Sequence, residues 1–363
     1  MRFSVVLQAI SYGLLAVAFF SVFGYSLVVV HNAPTVVPVE QLPTHTTVAS
    51  STPPSPSTVS FLFSGDMMLA RNLEVLSDQY GLSFATVYLS DLPPADYFFT
   101  NFESANALPH RRTPSMVTTF STRPDLFIIP KNIGITHASL ANNHTYDYGQ
   151  TGFDRTAGYL AEQGIVTFGH PLLVGTSSVV YLEKTPQVSV IALQNVTTAF
   201  AYKAVEEEIA KMKSQSEIQI AYIHWGDEYV LVHNRLQQEI AEFLIDQGID
   251  FVIGHHPHVT QDIGWYKERP IFYSLGNFIF DQYFSSDVQE GLMVTLEIES
   301  TGAWRAVLHP TTAIGTRSQT RLMNPTEKAD FLLRLANRSH PELKLLIRAG
   351  VLASPQEISM ITP

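Results

Sequence analysis

The sequence predicts an α/β protein, with a mixed sheet or two packed sheets carrying helices on the outside. Three observations point there. Apolar, strand-like runs alternate with amphipathic helical stretches from Val59 to about Ile314, the pattern of strand–helix units. Two alternating runs near the end, Leu292–Ile298 and Trp304–Leu308, flank Thr301-Gly302 and read as a hairpin. Six short polar clusters each follow directly on a β-type run, so the reactive side chains sit at strand ends, where loops of helix-covered sheets carry sites.

The first run, Val59–Phe63, ends at Ser64-Gly65-Asp66, and the second, Tyr97–Thr100, ends at Asn101-Phe102-Glu103. Ile135–Leu140 leads into Asn142-Asn143-His144. Gly152 to Gln163 is then a helix with Phe153, Ala157 and Leu160 on one face, stopped by Gly164. Lys203 to Lys213 is a charged surface helix. Ile218–Ile223 is too apolar for anything but a buried strand, and it ends at His224-Trp225-Gly226-Asp227-Glu228. Asn234 to Gln247 places Leu236, Ile240, Phe243 and Leu244 on one helical face, with Asn234 as N-cap and Gly248 just past the end. Phe251–Ile253 leads to Gly254-His255-His256-Pro257-His258, and Ile271–Tyr273 to Ser274-Leu275-Gly276-Asn277.

Four regions differ in composition. Residues 1–31 include an uncharged run from Phe3 to Val30 behind Arg2. It exceeds both the ~20 residues needed to cross a bilayer and the ~7–15 apolar residues of a cleaved signal core, so it predicts an uncleaved single-pass anchor. Arg2 favours a cytoplasmic N-terminus and an extracellular domain. Residues 32–58, rich in Pro, Ser and Thr, read as an extended linker. Residues 59–315 are the main domain. Residues 316–363 read as a helical tail, with Lys328–Arg338 and Pro341–Arg348 as two short helices.

Residues 60–315 hold 14 Lys/Arg against 28 Asp/Glu, whereas 316–363 hold 7 against 4. A domain this acidic is a poor nucleic-acid binder. There is no cysteine, which removes disulfides, thiolate nucleophiles and Cys-ligated zinc.

The clusters combine carboxylate, amide and imidazole groups, the ligand set of a Zn, Mn or Fe centre. Asp66 after a strand is a turn residue as readily as a ligand, and Arg71 can bind an anion or pair with Glu74. Asn101 and Glu103 lie on one face of an extended segment because side chains alternate, equally as ligands or as capping groups. His144 next to Asn143, with Asp147 three residues on, fits a general acid oriented by a carboxylate. His224 is a ligand or a strand-end histidine satisfied by backbone. His256 and His258 are expected to share a face of an extended loop and chelate, with His255 turned away. Ser274 to Asp281 reads chiefly as core, with Gly276 and Asn277 allowing close approach to the site.

Taken in order, Gly65-Asp66-Met67-Met68-Leu69-Ala70-Arg71, Asn101-Phe102-Glu103, Ala141-Asn142-Asn143-His144 with Asp147 and Gly149, His224-Trp225-Gly226-Asp227-Glu228-Tyr229, Gly254-His255-His256-Pro257-His258-Val259 and Tyr273 to Asp281 resemble the CapA-type family of poly-γ-glutamate capsule biosynthesis proteins. The resemblance spans about residues 60–315. That family looks like a branch of the calcineurin-type metallophosphoesterases, so the resemblance implies a four-layer α/β/β/α sandwich and a centre of one or two divalent transition metals (Mn, Zn or Fe). It further implies Asp66, Asn143, His224, His256 and His258 as metal ligands and His144 as the neighbouring acid, to which the reading of the residues adds Glu103 as a ligand and Asp147 as the partner of His144. Arg71, Asn101, Glu228 and Asn277 are the candidates for substrate binding. The phosphoesterase pattern carries a histidine two positions after the first aspartate, where this chain has Met68, and a bridging aspartate where it has Asn101 and Glu103.

Two functions follow, with a plain phosphoesterase set behind them by the substitution at Met68. One is a membrane-anchored, metal-dependent hydrolase or transferase acting on an extracellular anionic polymer or its precursor, with capsule synthase or export proteins as membrane partners. The other is a non-enzymatic capsule assembly or export factor that keeps the cleft as a binding groove. A polyanion beside so acidic a domain needs local positive charge, for which Arg71, Arg111, Arg112 and Arg123 are the candidates.

Overall fold

The computed structural model describes residues 56–114 and 117–355. The expected anchor, nearly all of the expected linker and residues 356–363 lie outside them. Among the described residues, no helix is long and apolar enough to cross a membrane.

Along the chain the elements are β1 (Thr58–Met67), α1 (Asn72–Tyr80), β2 (Tyr97–Phe102), α2 (Ile128–Asn132), β3 (His137–Ser139), α3 (Gly149–Glu162) and β4 (Val166–Phe168). There follow β5 (Val179–Tyr181), β6 (Val188–Gln194), α4 (Tyr202–Lys213), β7 (Ile218–His224), α5 (Arg235–Gln247), β8 (Phe251–His255), β9 (Ile263–Tyr266) and β10 (Arg269–Phe272). The last are β11 (Asn277–Ile279), β12 (Glu290–Glu299), β13 (Trp304–Thr312), β14 (Arg321–Leu322), α6 (Pro325–Arg338), α7 (Lys344–Ala349) and β15 (Val351–Ala353).

The strands form two mixed sheets. The first runs β14-β13-β12-β1-β2-β3-β4, with β11 beside β1 and β15 beside β13. The second runs β5-β6-β7-β8-β10-β9. β1 to β4 are parallel neighbours, as are β6, β7, β8 and β10. The hairpin expected near the end forms as the antiparallel pair β12–β13.

Strand alternation explains the layering. In β1, Phe61 and Phe63 face the core between the sheets, while Leu62 faces outward onto Leu73, Ile129 and Leu160 of α1–α3. In β7, Ile220 and Tyr222 face the inter-sheet core, while Ala221 and Ile223 meet Ile209 of α4 and Leu244 of α5. The outcome is helix, sheet, sheet, helix: a four-layer α/β/β/α sandwich.

Two expectations change. The helix after Asn234 forms with its cap, Asn234 accepting from Gln237 N–H and Gly248 ending it left-handed. Its buried face is rotated, however: Leu236 is exposed and Gln237 is buried. The Gln237 side chain is consumed internally, accepting from Asn234 N–H and donating to Gln261. The expectation of an appended tail over 316–363 does not hold for its described part. β14 and β15 both pair with β13, and Phe331, Leu335 and Ile347 pack into the inter-sheet core. Arg317, Arg334 and Arg348 face solvent, whereas Arg338 turns inward and donates to the Thr260 carbonyl at 2.8 Å.

Candidate metal centre

The site forms where the parallel strands of both sheets end. β1 is irregular around Asp66, its register with β2 shifting between Phe63 and Asp66; such bulges re-aim a side chain. The segment after β10 then leaves the second sheet and joins the first. Asp66 N–H donates to Gly276 C=O at 2.9 Å, and Asp66 stands opposite Asn277 of β11. Gly65 makes that crossing possible, because a Cβ there would lie 1.9 Å from the Gly276 carbonyl oxygen.

Asp66 and Glu103 are both fully buried. Asp66 Oδ1 accepts from Asn101 at 2.8 Å and lies 3.4 Å from His255 Nδ1; Oδ2 lies 3.2 Å from His258 Nδ1 and accepts from His256 N–H at 3.3 Å. Burial works to raise the Asp66 carboxyl, and the His255 and His258 imidazoles overcome it, holding the group well below the usual range. Glu103 Oε1 lies 3.6 Å from His258 Nε2, 3.8 Å from His144 Nε2 and 3.9 Å from His224 Nε2. Both Glu103 oxygens are buried without a hydrogen-bond partner, and burial raises its carboxyl well above the ordinary value.

The imidazoles differ by neighbourhood. Burial lowers His224 well below its usual range and takes His256 down to about 3, in each case reinforced by a second histidine. Burial also opposes charge on His258, but Glu103 and Asp66 outweigh it and raise that ring to about 9. His256 and His258 approach with ring centroids 5.8 Å apart. The loop is not extended as expected, since their φ values are 96° and 57°. The left-handed backbone, rather than strand alternation, brings the two rings together. His255 packs on Tyr222, with ring centroids 4.2 Å apart.

His144 is held from both sides. Its Nδ1 lies 3.1 Å from Asp147 Oδ2, and its ring stacks on Phe120 at 3.9 Å. Asp147 also accepts from Phe120 N–H at 2.6 Å. Nε2 is therefore the nitrogen turned toward Glu103. Asn143 Oδ1 lies 2.6 Å from His224 Nε2.

Among the described residues, three donor sets have one ligand atom per residue within 4.8 Å of one another: Asp66 with Glu103 and His258; Glu103 with His224 and His256; Glu228 with His256 and His258. His144, Asp147 and Asn143 border these sets. Of the residues expected to bind substrate, Asn101 and Asn277 are placed as internal supports instead. Asn101 donates to Asp66, accepts from Asn142 and lies 3.1 Å from His224 Nδ1. Asn277 Oδ1 lies 3.0 Å from His258 Nδ1, and its amide donates to Gln282 and the Val288 carbonyl. The NH2 group of each is thus engaged within the protein.

Arg71 pairs with Asp281 rather than Glu74, with its guanidinium 4.5 Å from the Phe120 ring centre. It lines an open groove of about 740 Å³ with Asn72, Tyr229, Asp281, Tyr283 and Phe284. Arg112 pairs with Glu74 and Asp78, and Arg123 with Asp78 and Asp125. Of the four arginines expected to meet a polyanion, three are thus neutralised by carboxylates. Sequence reading missed Asn142, whose Oδ1 accepts from the N–H groups of His144 and Thr145 and so shapes the turn that presents His144. An Asn two residues before a histidine is the available signal, as an Asx-type turn.

Fold and site together define a class: an α/β/β/α sandwich with a carboxylate–imidazole centre on the rim of its parallel strands. The family model for the bacterial capsule synthesis protein PGA_cap matches residues 60–282, a span that holds all six clusters. The PGA biosynthesis protein CapA of Bacillus subtilis (strain 168) is 30% identical over 277 residues, covering 70% of this chain and 72% of that protein. The capsule biosynthesis protein CapA of Bacillus anthracis is 30% identical over 243 residues, covering 60% and 59%. A probable polyglutamine synthesis accessory protein of Mycobacterium tuberculosis is 27% identical over 169 residues, covering 39% and 44%. The chain belongs to the PGA_cap family of bacterial capsule synthesis proteins.

Proposed function

We propose that the protein acts in the synthesis of an extracellular capsule polymer of the poly-γ-glutamate kind, as a metal-dependent hydrolase or transferase anchored in the cell membrane by residues 1–31. The names of its Bacillus relatives support the capsule role, and the uncharged run from Phe3 to Val30 supports the anchor.

One observation carries the metal reading: Glu103 is a fully buried carboxylate whose two oxygens have no hydrogen-bond partner, with three imidazoles within 4 Å. A buried carboxylate left so is costly unless a cation pairs with it. The donors fit a divalent Mn, Zn or Fe ion, with Asp66, Glu103 and His258 holding one and Glu103, His224 and His256 a second. Glu103 is common to both sets and would be the residue that serves both ions.

A metal in this place supplies Lewis acidity toward a carbonyl or phosphoryl oxygen and lowers the pKa of water towards about 7. The chain's own residues do the rest. Asp147 accepts a hydrogen bond from His144 Nδ1–H and fixes the tautomer, leaving Nε2 to take a proton from a nucleophile and then give it to a leaving oxygen. Phe120 covers the ring and keeps bulk water off that face. Arg71, clamped by Asp281, orients whatever enters the groove rather than neutralising a polyanion.

Met68 favours the second reading, an assembly or export factor that binds without turnover. Where metallophosphoesterases place a histidine, Met68 is buried with Ala70, Phe120 and Phe280, and its sulfur accepts from Ala70 N–H. Metal analysis of the purified full chain separates the cases. Wild type is expected to carry Mn, Zn or Fe, and Glu103→Gln to lose it. His144→Ala should keep the metal while polymer output in complemented cells falls by roughly 10²–10⁴, the usual share of a general acid or base. Unchanged output with His144→Ala, but loss with Glu103→Gln, leaves the binding-groove reading standing.

A further inference from the structure

The loop leaving β7 brings one more carboxylate to the centre, from the solvent side. Trp225 anchors its start: the side chain is fully buried and its indole N–H donates to the Tyr273 carbonyl at 2.8 Å. Gly226 and Tyr229 both have positive φ, 87° and 65°, and Tyr229 N–H donates to the Pro257 carbonyl at 2.7 Å. Tyr229 is a strained position for a bulky residue, so the hydrogen bond to the histidine-bearing loop is what holds it. Between these pins Glu228 Oε1 lies 3.9 Å from His258 Nε2. Glu228 is 42% exposed, whereas Glu103, reaching the same nitrogen at 3.6 Å, is wholly buried.

Two further features aim at a ligand here. His256, which shares a donor set with Glu228 and His258, has a buried Nδ1 without a partner. Glu103, 3.6 Å from the same His258 Nε2, has both oxygens unpartnered. The ionic neighbour of Glu228 is an imidazole nitrogen rather than a lysine or arginine.

The geometry points to Glu228 as an exchangeable metal ligand, closing the solvent face of the centre and yielding its position to an oxyanion of the incoming substrate. This rests on the metal reading above. Catalytic metal sites keep one position for water or substrate, and the buried ligands cannot vacate theirs without leaving an unpaired charge in the core. A half-exposed glutamate on a loop can. Exchange of the Glu228 carboxylate for a carboxylate or phosphodiester oxygen, each carrying one negative charge, would conserve charge at the metal, which suits a substrate whose reacting end is anionic.

The test uses full-length protein loaded with Co²⁺, whose visible spectrum reports its coordination. Glu228→Gln is expected to lower Co²⁺ affinity, read by chelator competition, by at least the roughly 10–100-fold that losing an outer-sphere partner costs. Added acetate should restore the wild-type spectrum in Glu228→Gln, at concentrations that leave wild type unaltered. Asp227→Asn is the control for lost loop charge: Asp227 accepts from Asn234 at 2.7 Å within its own loop, and its removal should leave the spectrum unchanged. Identical affinity and identical acetate titrations in wild type and Glu228→Gln would overturn the assignment while leaving the metal centre intact. A wild-type chain that takes up no Co²⁺ overturns the metal reading and this inference with it.

Discussion

At the strand ends of the first sheet the centre is made mainly of carboxylates and amides, Asp66, Asn101, Glu103 and Asn143, with His144 beside them. At those of the second sheet it is made mainly of imidazoles, His224, His256 and His258, with Glu228 on the solvent side. Each rim alone is an electrostatic liability. Buried carboxylates repel one another, and buried imidazoles lose their charge. Facing each other they compensate, which is why His258, between Asp66 and Glu103, stays basic while His256 beside it does not. The donor set is therefore a property of how the two sheets pack and belongs to neither sheet separately.

The largest effect should come from breaking that packing where the chain crosses between sheets. An alanine at Gly65 would put its Cβ 1.9 Å from the Gly276 carbonyl oxygen, and neither backbone can yield without separating Asp66 from β11. Gly65→Ala is expected to cost at least about 3 kcal/mol, the upper range for overpacking. Both unfolding midpoint and metal uptake should fall. A variant with the wild-type urea midpoint and metal content would show that the two rims do not depend on this contact.

A histidine away from the rim tests what the carboxylates do. His137 of β3 stacks on Phe99 at 4.5 Å, with no carboxylate to pair with its charge, and burial takes it down to about 4. Above pH 6.5 the ring is neutral in both folded and unfolded chains. Between pH 6.5 and 4 the unfolded chain takes up the proton first, so stability is lost as pH falls, levelling off below 4. The loss amounts to about 3 kcal/mol, from roughly 2.5 pK units at 1.36 kcal/mol each. His137→Phe should remove that component. The stability gap between wild type and variant, measured by urea unfolding at pH 7 and pH 4, should shift by this amount in favour of the variant. An unchanged gap would mean that His137 is not buried as a neutral ring.

Much of this was legible in the sequence because periodicity and polarity agree locally. The β12–β13 hairpin, the Asn234 cap and the strand-then-cluster order all depend on neighbours within a few residues. What was not legible depends on partners far along the chain. Asn101 and Asn277 look like free polar groups at strand ends, and only tertiary register shows their amides spent on Asp66, His224 and His258. The segment after residue 315 carries a clear apolar stripe in Phe331, Leu332 and Leu335, yet its charge sign suggested an appendage. The sign of the charge does not decide whether a segment docks, since even Arg338 turns inward to the Thr260 carbonyl, whereas the apolar stripe does.

The smallest expected effect is the most discriminating, because it separates two adjacent histidines. His255 is the last residue of β8, in register with His224, and its ring lies on Tyr222 with Nδ1 3.4 Å from Asp66 Oδ1. It belongs to none of the three donor sets, whereas His256, one peptide bond further, belongs to two. His255 thus supports a ligand, and His256 is placed as one. His255→Gln keeps a side-chain N–H that can reach Asp66, so metal content should stay at the wild-type value. His256→Gln should lose affinity by at least roughly 10–100-fold, the span seen when even an outer-sphere partner is removed. The substitutions are at adjacent positions and each replaces a buried ring, so a general loss of stability would move them together. Equal loss of metal in the two variants would mean that the left-handed turn at His256 does not divide support from ligand, and that all three histidines of the loop act as one unit.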